Sequence, residues 1–254
     1  MSLSRAADVY RRDGAIALLK KAVPYAYNQY IRCILPRRGS HPEFNEVKVG
    51  GVYGPYSRVP RLFDRIVPWS TPDIDHMPDY EDALLDAVRA HVREGDDVVI
   101  IGGGNGVSTV VAAQRVGPPG TVTTYEGNGR KVTAIENTIA LNEVGDRTEV
   151  QQAIVGPSIG VVGSDHEFDA ATRLSSSEIP DCDVLEMDCE GSEKEILETL
   201  PIRPSRIIVE THPEYEAPQE TIRQLLTEMG YRITNETPVV PEMDIHILSA
   251  AYDD

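Results

Sequence analysis

Lysine is scarce in this chain. Only Lys20, Lys21, Lys48, Lys131 and Lys194 are present, so 19 of the 24 cationic side chains are arginine, against 41 Asp and Glu, and the net charge is −17. So acidic a surface repels polyphosphate and argues against nucleic-acid partners. It suits a salty solvent in which self-repulsion is screened, so a halophilic acidic surface is expected. Cysteine is rare as well. Cys33, Cys182 and Cys189 are odd in number and form no Cys-x-x-Cys pair, which argues against a disulfide framework and a zinc site. There is no apolar run of about 18 residues, so no transmembrane helix is expected. The first eight residues, Met1 to Asp8, lack the apolar core of a signal peptide. A cytoplasmic location is expected, with the inner face of the membrane as its variant.

The charge is uneven. Residues 1–50 hold nine Lys/Arg and four Asp/Glu, a net of +5, while residues 51–254 hold fifteen and thirty-seven, a net of −22. Two regions follow: an N-terminal helical arm and irregular cap over 1–79, and the main domain over 80–254. Residues 8–23 are amphipathic, Pro24 interrupts them, and tyrosines continue toward Pro36-Arg37-Arg38. A basic amphipathic stretch of this kind suits an anionic membrane, giving peripheral contact through residues 1–38 as one reading. A helical arm packed on the domain or on a dimer partner is the other, and is preferred; the oligomeric state stays open. Residues 39–79 carry six prolines, with a hairpin or edge strand expected at Glu46–Tyr53. They read equally as a cap over a site or as a packed linker.

The most informative stretch is Val98-Val99-Ile100-Ile101-Gly102-Gly103-Gly104-Asn105-Gly106. Four apolar residues predict a strand buried on both faces. Helical character resumes at Ser108, and strand, glycine turn and helix open a nucleotide-binding α/β unit. Bare backbone at Gly102, Gly104 and Gly106, with Asn105 between them, is expected to lie against the cofactor. The Gly-x-Gly-x-x-Gly dinucleotide fingerprint fails, because Val107 stands at its third position. Thr121–Tyr125 predicts the next strand, and Glu126 at its end is placed to accept hydrogen bonds from ribose hydroxyls.

Periodicity supplies the remaining elements. Helices are expected from Asp79 or Tyr80 to Gly95, and over Arg130–Asn142 with Val132, Ile135, Ile139 and Ala140 inward. Two more are expected over Ser192–Leu200 and Thr221–Met229. Strands are expected at Glu149–Val155, Asp183–Met187, Arg206–His212, Tyr231–Thr234 and Asp244–Leu248, with a short edge strand and a loop in 156–180. Asp188 and Glu190 stand at a strand's carboxyl end, where ligands bind in open α/β sheets. Gathered carboxylates there repel unless they meet a cation, donors or a substrate. Glu193 and Glu195 read as ordinary helix N-terminal acids. Glu210 and His212 fall at the same edge, and alternation puts them on one face. His212 suits either a general base or a structural role. A metal held by Asp188, Glu190, Glu210 and His212 is chemically admissible, although nothing in the sequence sets their distances.

Asp188-Cys-Glu-Gly-Ser-Glu193 resembles the Asp-x-Glu-Gly-x-Glu motif of FkbM-type methyltransferases. Tyr80-Glu81, the glycine turn, Tyr125-Glu126 and Val209-Glu-Thr-His-Pro213 are similar to that family in type and order. The likeness spans about residues 80–250, and the Gly102-x-Gly104-x-Gly106 spacing is similarly that of class I S-adenosylmethionine (SAM) methyltransferases. The resemblance implies an α/β Rossmann-like fold with a seven-stranded, mostly parallel sheet and helices on both faces. It also implies SAM as cofactor and O-methylation of a sugar, glycan or small-molecule hydroxyl, or of a carboxylate. Gly102, Gly104, Asn105, Gly106, Tyr125, Glu126 and Asp188 are then the cofactor residues, and Asp188, Glu190 and His212 the catalytic ones. One departure is Ile100, where the family often has an acid. Aminopropyl transfer, nicotinamide redox chemistry and a non-catalytic scaffold binding a partner through its basic arm are the competing readings.

Overall fold

The computed structural model describes residues 14–15, 41–50, 76–156 and 171–252. The expectations for an N-terminal arm, and for most of the proline-rich stretch with Tyr56, Trp69, Asp73 and Asp75, lie outside the described residues. Residues 14–15 are helical. No helix among the described residues is long and apolar enough to cross a membrane.

Residues 41–50 and 76–77 form a small sheet. Glu43–Phe44 (β1) and Val47–Lys48 (β2) make a hairpin, and His76–Met77 (β3) pairs parallel to β1. The hairpin lies earlier than the sequence reading places it, because Asn45 and Glu46 adopt the left-handed backbone that a two-residue turn demands. Phe44, Val47 and Val49 are buried in the main core, and the Gly50 N–H donates to Thr138 Oγ1 at 3.0 Å.

Asp97–Ile101 (β4) is the central strand, and Val98 to Ile101 are each at most 3% exposed. Val98 and Ile100 enter one apolar cluster, and Val99 and Ile101 the other. Such a strand is stable only between two helical layers. Thr121–Glu126 (β5) and Val184–Met187 (β8) flank it in parallel. Thr148–Val155 (β6) and Thr172–Leu174 (β7) extend the sheet beyond β5, and Arg206–Glu210 (β9) extends it beyond β8, all parallel. Ile245–Tyr252 (β11) runs antiparallel to β9, and Tyr231–Val240 (β10) antiparallel to β11. The order is β10-β11-β9-β8-β4-β5-β6-β7. The expected seven strands become eight, because the short edge strand anticipated in 156–180 joins the same sheet as β7.

Helices Asp82–His91 (α1), Val107–Val116 (α2) and Gly129–Leu141 (α3) cover one face, and Glu193–Thr199 (α4) and Gln219–Glu228 (α5) the other. Asn128 caps α3, its side chain accepting from the Arg130 and Lys131 N–H groups. Ala140, expected inward, is exposed; Ala134 and Thr138 share the buried stripe with Ile135 and Ile139 instead. The α1 helix stops at His91, short of Gly95, because Val92 turns extended. The β10 strand outruns its expected four residues. Asn235-Glu-Thr-Pro238 has turn composition, yet an edge strand accepts proline and two register shifts absorb the irregularity.

Parallel register levels the strand ends. Tyr125, Ile101, Met187 and Val209 stand in one row. The next residues, Glu126, Gly102, Asp188 and Glu210, therefore share the carboxyl edge. Below the sheet's opposite end, Arg206 NH2 donates to Asp96 Oδ1 at 3.0 Å and NH1 to the His91 carbonyl at 2.5 Å. Asp96→Ala leaves this buried guanidinium without its carboxylate and is expected to cost about 3 kcal/mol. A urea unfolding midpoint that does not move contradicts this.

Candidate active site

The three spaced glycines have different reasons to be glycine. All have left-handed backbones, with φ 99° at Gly102, 54° at Gly104 and 80° at Gly106. A Cβ on Gly102 would stand 1.8 Å from the Asp188 carbonyl oxygen, and one on Gly106 would stand 3.1 Å from Ile135 Cα. Those two have an internal packing reason to be glycine, beside the cofactor contact expected of them. A Cβ on Gly104 meets nothing within 4 Å among the described residues. Gly104 alone presents its bare backbone to an open face.

Glu126 faces that backbone. The Gly104 N–H donates to Glu126 Oε2 at 3.1 Å, and the Asn128 N–H donates to Oε1 at 2.8 Å. The carboxylate is only 7% exposed, yet each oxygen keeps a lone pair for a ligand hydroxyl. Glycine cradle and fixed carboxylate fit an adenosyl group. Asn105 is committed elsewhere: its Nδ2 donates to the Tyr80 hydroxyl at 2.9 Å, and its carbonyl accepts from Thr138 Oγ1 at 3.0 Å. Tyr125, expected against the cofactor, turns its ring into the core on the opposite face from Glu126. Its contribution to the turn is the carbonyl that accepts the Gly102 N–H at 2.9 Å.

Beside the cradle lies a group of acids. Asp188 follows β8, and Glu210 ends β9. Backbone hydrogen bonding carries the chain on from Glu210 to His212, where an isolated bridge to Ala217 and the 3-10 turn Pro213–Tyr215 replace the expected strand. The ring still reaches both acids: His212 Nε2 lies 3.5 Å from Asp188 Oδ1 and 3.9 Å from Glu210 Oε1. His212 Nδ1 lies 2.9 Å from Glu193 Oε1. Glu190 adopts a left-handed backbone with φ 56° and stays half-buried, acting on Asp188 and Glu210 through its charge.

Three further residues belong to the site. Glu193, read as a helix N-terminal acid, is fully buried; besides His212 it accepts the Cys189 N–H at 3.0 Å and the Gly191 N–H at 2.8 Å. Its place as the last letter of Asp-x-Glu-Gly-x-Glu was the signal for it. Glu81 lies half-buried in the left-handed turn before α1, hydrogen-bonded to Tyr80. Glu186 is 1% exposed and pairs in register with Ile100, on the face that Asp188 and Glu210 share. Ile100 itself is wholly buried, so the acid its position lacks stands one strand away. An acid inside an apolar strand gives no pattern to read. Neither Glu186 oxygen has a hydrogen-bond partner among the described residues; the Ser108 hydroxyl faces it only loosely.

Burial raises the carboxyl pKa of Glu81, Glu186, Asp188 and Glu210. Glu186 goes up through burial and the Asp188 charge, and Asp188 through burial and the Glu210 charge, against the pull of His212. Burial also lifts Glu210, to about 7, opposed by His212 and aided by Glu81, Glu190 and Glu193. For His212, burial favours the neutral ring, but the Glu193 hydrogen bond and the Glu193, Asp188 and Glu210 charges outweigh it and bring the imidazole to about 9. So situated, the free His212 ring favours its protonated form at neutral pH. The whole edge favours positive charge.

Packing and cradle glycines separate experimentally. Gly102→Ala drives a methyl into the Asp188 carbonyl and is expected to lower stability by more than about 3 kcal/mol or to abolish folding. Gly104→Ala costs only the left-handed backbone, about 1 kcal/mol. Equal thermal melts for the two variants contradict this division.

Residues 116–233 match the model of the methyltransferase FkbM domain. A search of curated proteins finds no match. Among solved structures, the chain is similar to a ribosomal protein L11 methylase from Lactobacillus delbrueckii subsp. bulgaricus. The identity is 13% and the TM-score 0.50, over 70% of this chain and 80% of that one. It is also similar to a SAM-dependent O-methyltransferase from Thermotoga maritima, at 20% identity and TM-score 0.47, over 77% of this chain and 72% of that one. The first likeness establishes the Rossmann-like methyltransferase fold. S-adenosylmethionine is the cofactor of the FkbM domain, and the cradle at Gly104 with Glu126 suits it. Residues 116–233 are thus similar to the FkbM methyltransferase domain and lie on a Rossmann-like methyltransferase fold.

Proposed function

We propose that the chain transfers the methyl group of SAM to an oxygen of a sugar, glycan or small-molecule acceptor. The observation that carries this reading is the Glu126 carboxylate, locked to the Gly104 N–H at the same sheet edge as Asp188 and Glu210. When bound, SAM supplies an electrophilic methyl on a sulfonium. Gly104 offers bare backbone to the cofactor, and Glu126 accepts the ribose hydroxyls. Asp188 and Glu210 face the reacting edge and hold an acceptor hydroxyl in line, receiving its proton. Their negative charge also favours a cationic sulfonium in the adjoining cradle. Because in-line displacement depends on alignment, the rigid strand ends supply much of the acceleration. A carboxylate acceptor would need only the positioning.

Aminopropyl transfer and a nicotinamide reaction are disfavoured by the matched FkbM segment and by Val107. Peripheral membrane contact through residues 1–38 would bring a lipid-linked glycan to this edge, and a cytoplasmic, salt-adapted setting suits the charge of −17.

Calorimetry with SAM is expected to show binding that is lost in Gly104→Arg and weakened at least about tenfold in Glu126→Ala, the loss of roughly one charge-assisted hydrogen bond. Asp188→Asn is expected to lower turnover more than SAM affinity. Tight SAM binding in folded Gly104→Arg contradicts the cofactor placement, and unchanged turnover in Asp188→Asn contradicts its role.

A further inference from the structure

We infer that Asp188, Glu210 and His212 form a site for a divalent transition-metal cation such as Mn2+ or Zn2+. One ligand atom from each lies within 4.8 Å of the other two. The use made of the cation rests on the methyl-transfer reading; its binding does not.

The histidine is built for this. Its Nδ1 is tied to Glu193 Oε1 at 2.9 Å, and Glu193 is fully buried and held by the Cys189 and Gly191 N–H groups. A carboxylate behind a histidine fixes the tautomer and aims the far nitrogen at a metal. Here the far nitrogen, Nε2, faces Asp188 Oδ1 at 3.5 Å and Glu210 Oε1 at 3.9 Å. Gly191 completes the support. Its backbone has φ 104°, and an added Cβ would stand 2.3 Å from Tyr215 Cβ, so the turn that carries Glu193 has no freedom to drift.

A second observation is independent of that triad. Glu186 lies two residues before Asp188 on the same face, 1% exposed, and among the described residues its carboxylate oxygens have no partner closer than the loosely placed Ser108 hydroxyl. A buried carboxylate without donors is costly unless positive charge lies close by. A single proton on one imidazole is small recompense for Glu81, Glu186, Asp188, Glu190 and Glu210 gathered together. A divalent cation answers all of them.

The donors are mixed: carboxylates suit Mn2+, and imidazole suits Zn2+. With Asp188 and Glu210 serving as ligands beside His212, an acceptor hydroxyl next to the cation would lose its proton more readily, and to solvent rather than to those two carboxylates. The full chain, first treated with chelator, is titrated with Mn2+ by electron paramagnetic resonance and with Zn2+ by calorimetry, with SAM titrations in parallel. One site is expected. Asp188→Asn, Glu210→Gln and His212→Ala should each weaken it at least about 100-fold, and the positioning change Glu193→Gln by about 10- to 100-fold. Far-ultraviolet circular dichroism identifies the variants that fold, and any folded one decides the matter. No cation binding by the wild-type chain, or affinity undiminished in a folded ligand variant, overturns the site. SAM binding without cation binding removes the metal alone. Cation binding without SAM binding removes the methyl-transfer reading and leaves the metal standing.

Discussion

The closest constraint in this molecule is backbone against backbone. At Gly102 the chain leaves the central strand so near to the Asp188 carbonyl that a single methyl group would lie 1.8 Å from it. The glycine turn and the acidic turn are thereby locked in one relative position. Because β4, β5, β8 and β9 pair in level register, the lock extends to Glu126 on one side and Glu210 on the other. The edge is thus set by hydrogen-bonded strands, the most rigid material in the fold, and not by loops.

Against that rigid frame stands an electrostatic expense. Glu81, Glu186, Asp188, Glu193 and Glu210 are buried or half-buried together; desolvation raises the pKa of Glu81, and desolvation with the neighbouring carboxylates raises those of Glu186, Asp188 and Glu210. Domains fold with a margin of only about 5–15 kcal/mol, so such a group is a poor choice for stability alone. Clustered, perturbed carboxylates at a strand edge are characteristic of binding and chemistry. The arrangement is asymmetric. Glu126 is satisfied by backbone donors and keeps lone pairs for neutral hydroxyls, whereas the acids around His212 want a cation.

Much of this was legible in the sequence. The run Val98 to Ile101 declares a central strand because only such a strand is apolar on both faces. Glu126 and Asp188 declare themselves by following strands directly. What periodicity misses depends on tertiary structure. Glu186 sits inside an apolar strand and has no pattern of its own. Glu193 looks like any acid in a first helical turn until the fold brings His212 to it. Gly102 and Gly104 are identical letters, and only the position of Asp188 separates the packing glycine from the cradle glycine. Tyr125 adjoins Glu126 in sequence, yet alternation turns its ring to the other face, into the core. The β10 strand escaped because its middle has turn composition and is paired at an edge.

The central claim is that SAM occupies the cradle between Gly104 and Glu126. Amide hydrogen exchange, followed by mass spectrometry with and without SAM, tests it most directly. Exchange should slow in peptides covering residues 102–107 and 126–129, and should stay unchanged at the outer β10 edge. Protection absent from both peptides at saturating SAM, or confined to a different part of the chain, would contradict the account.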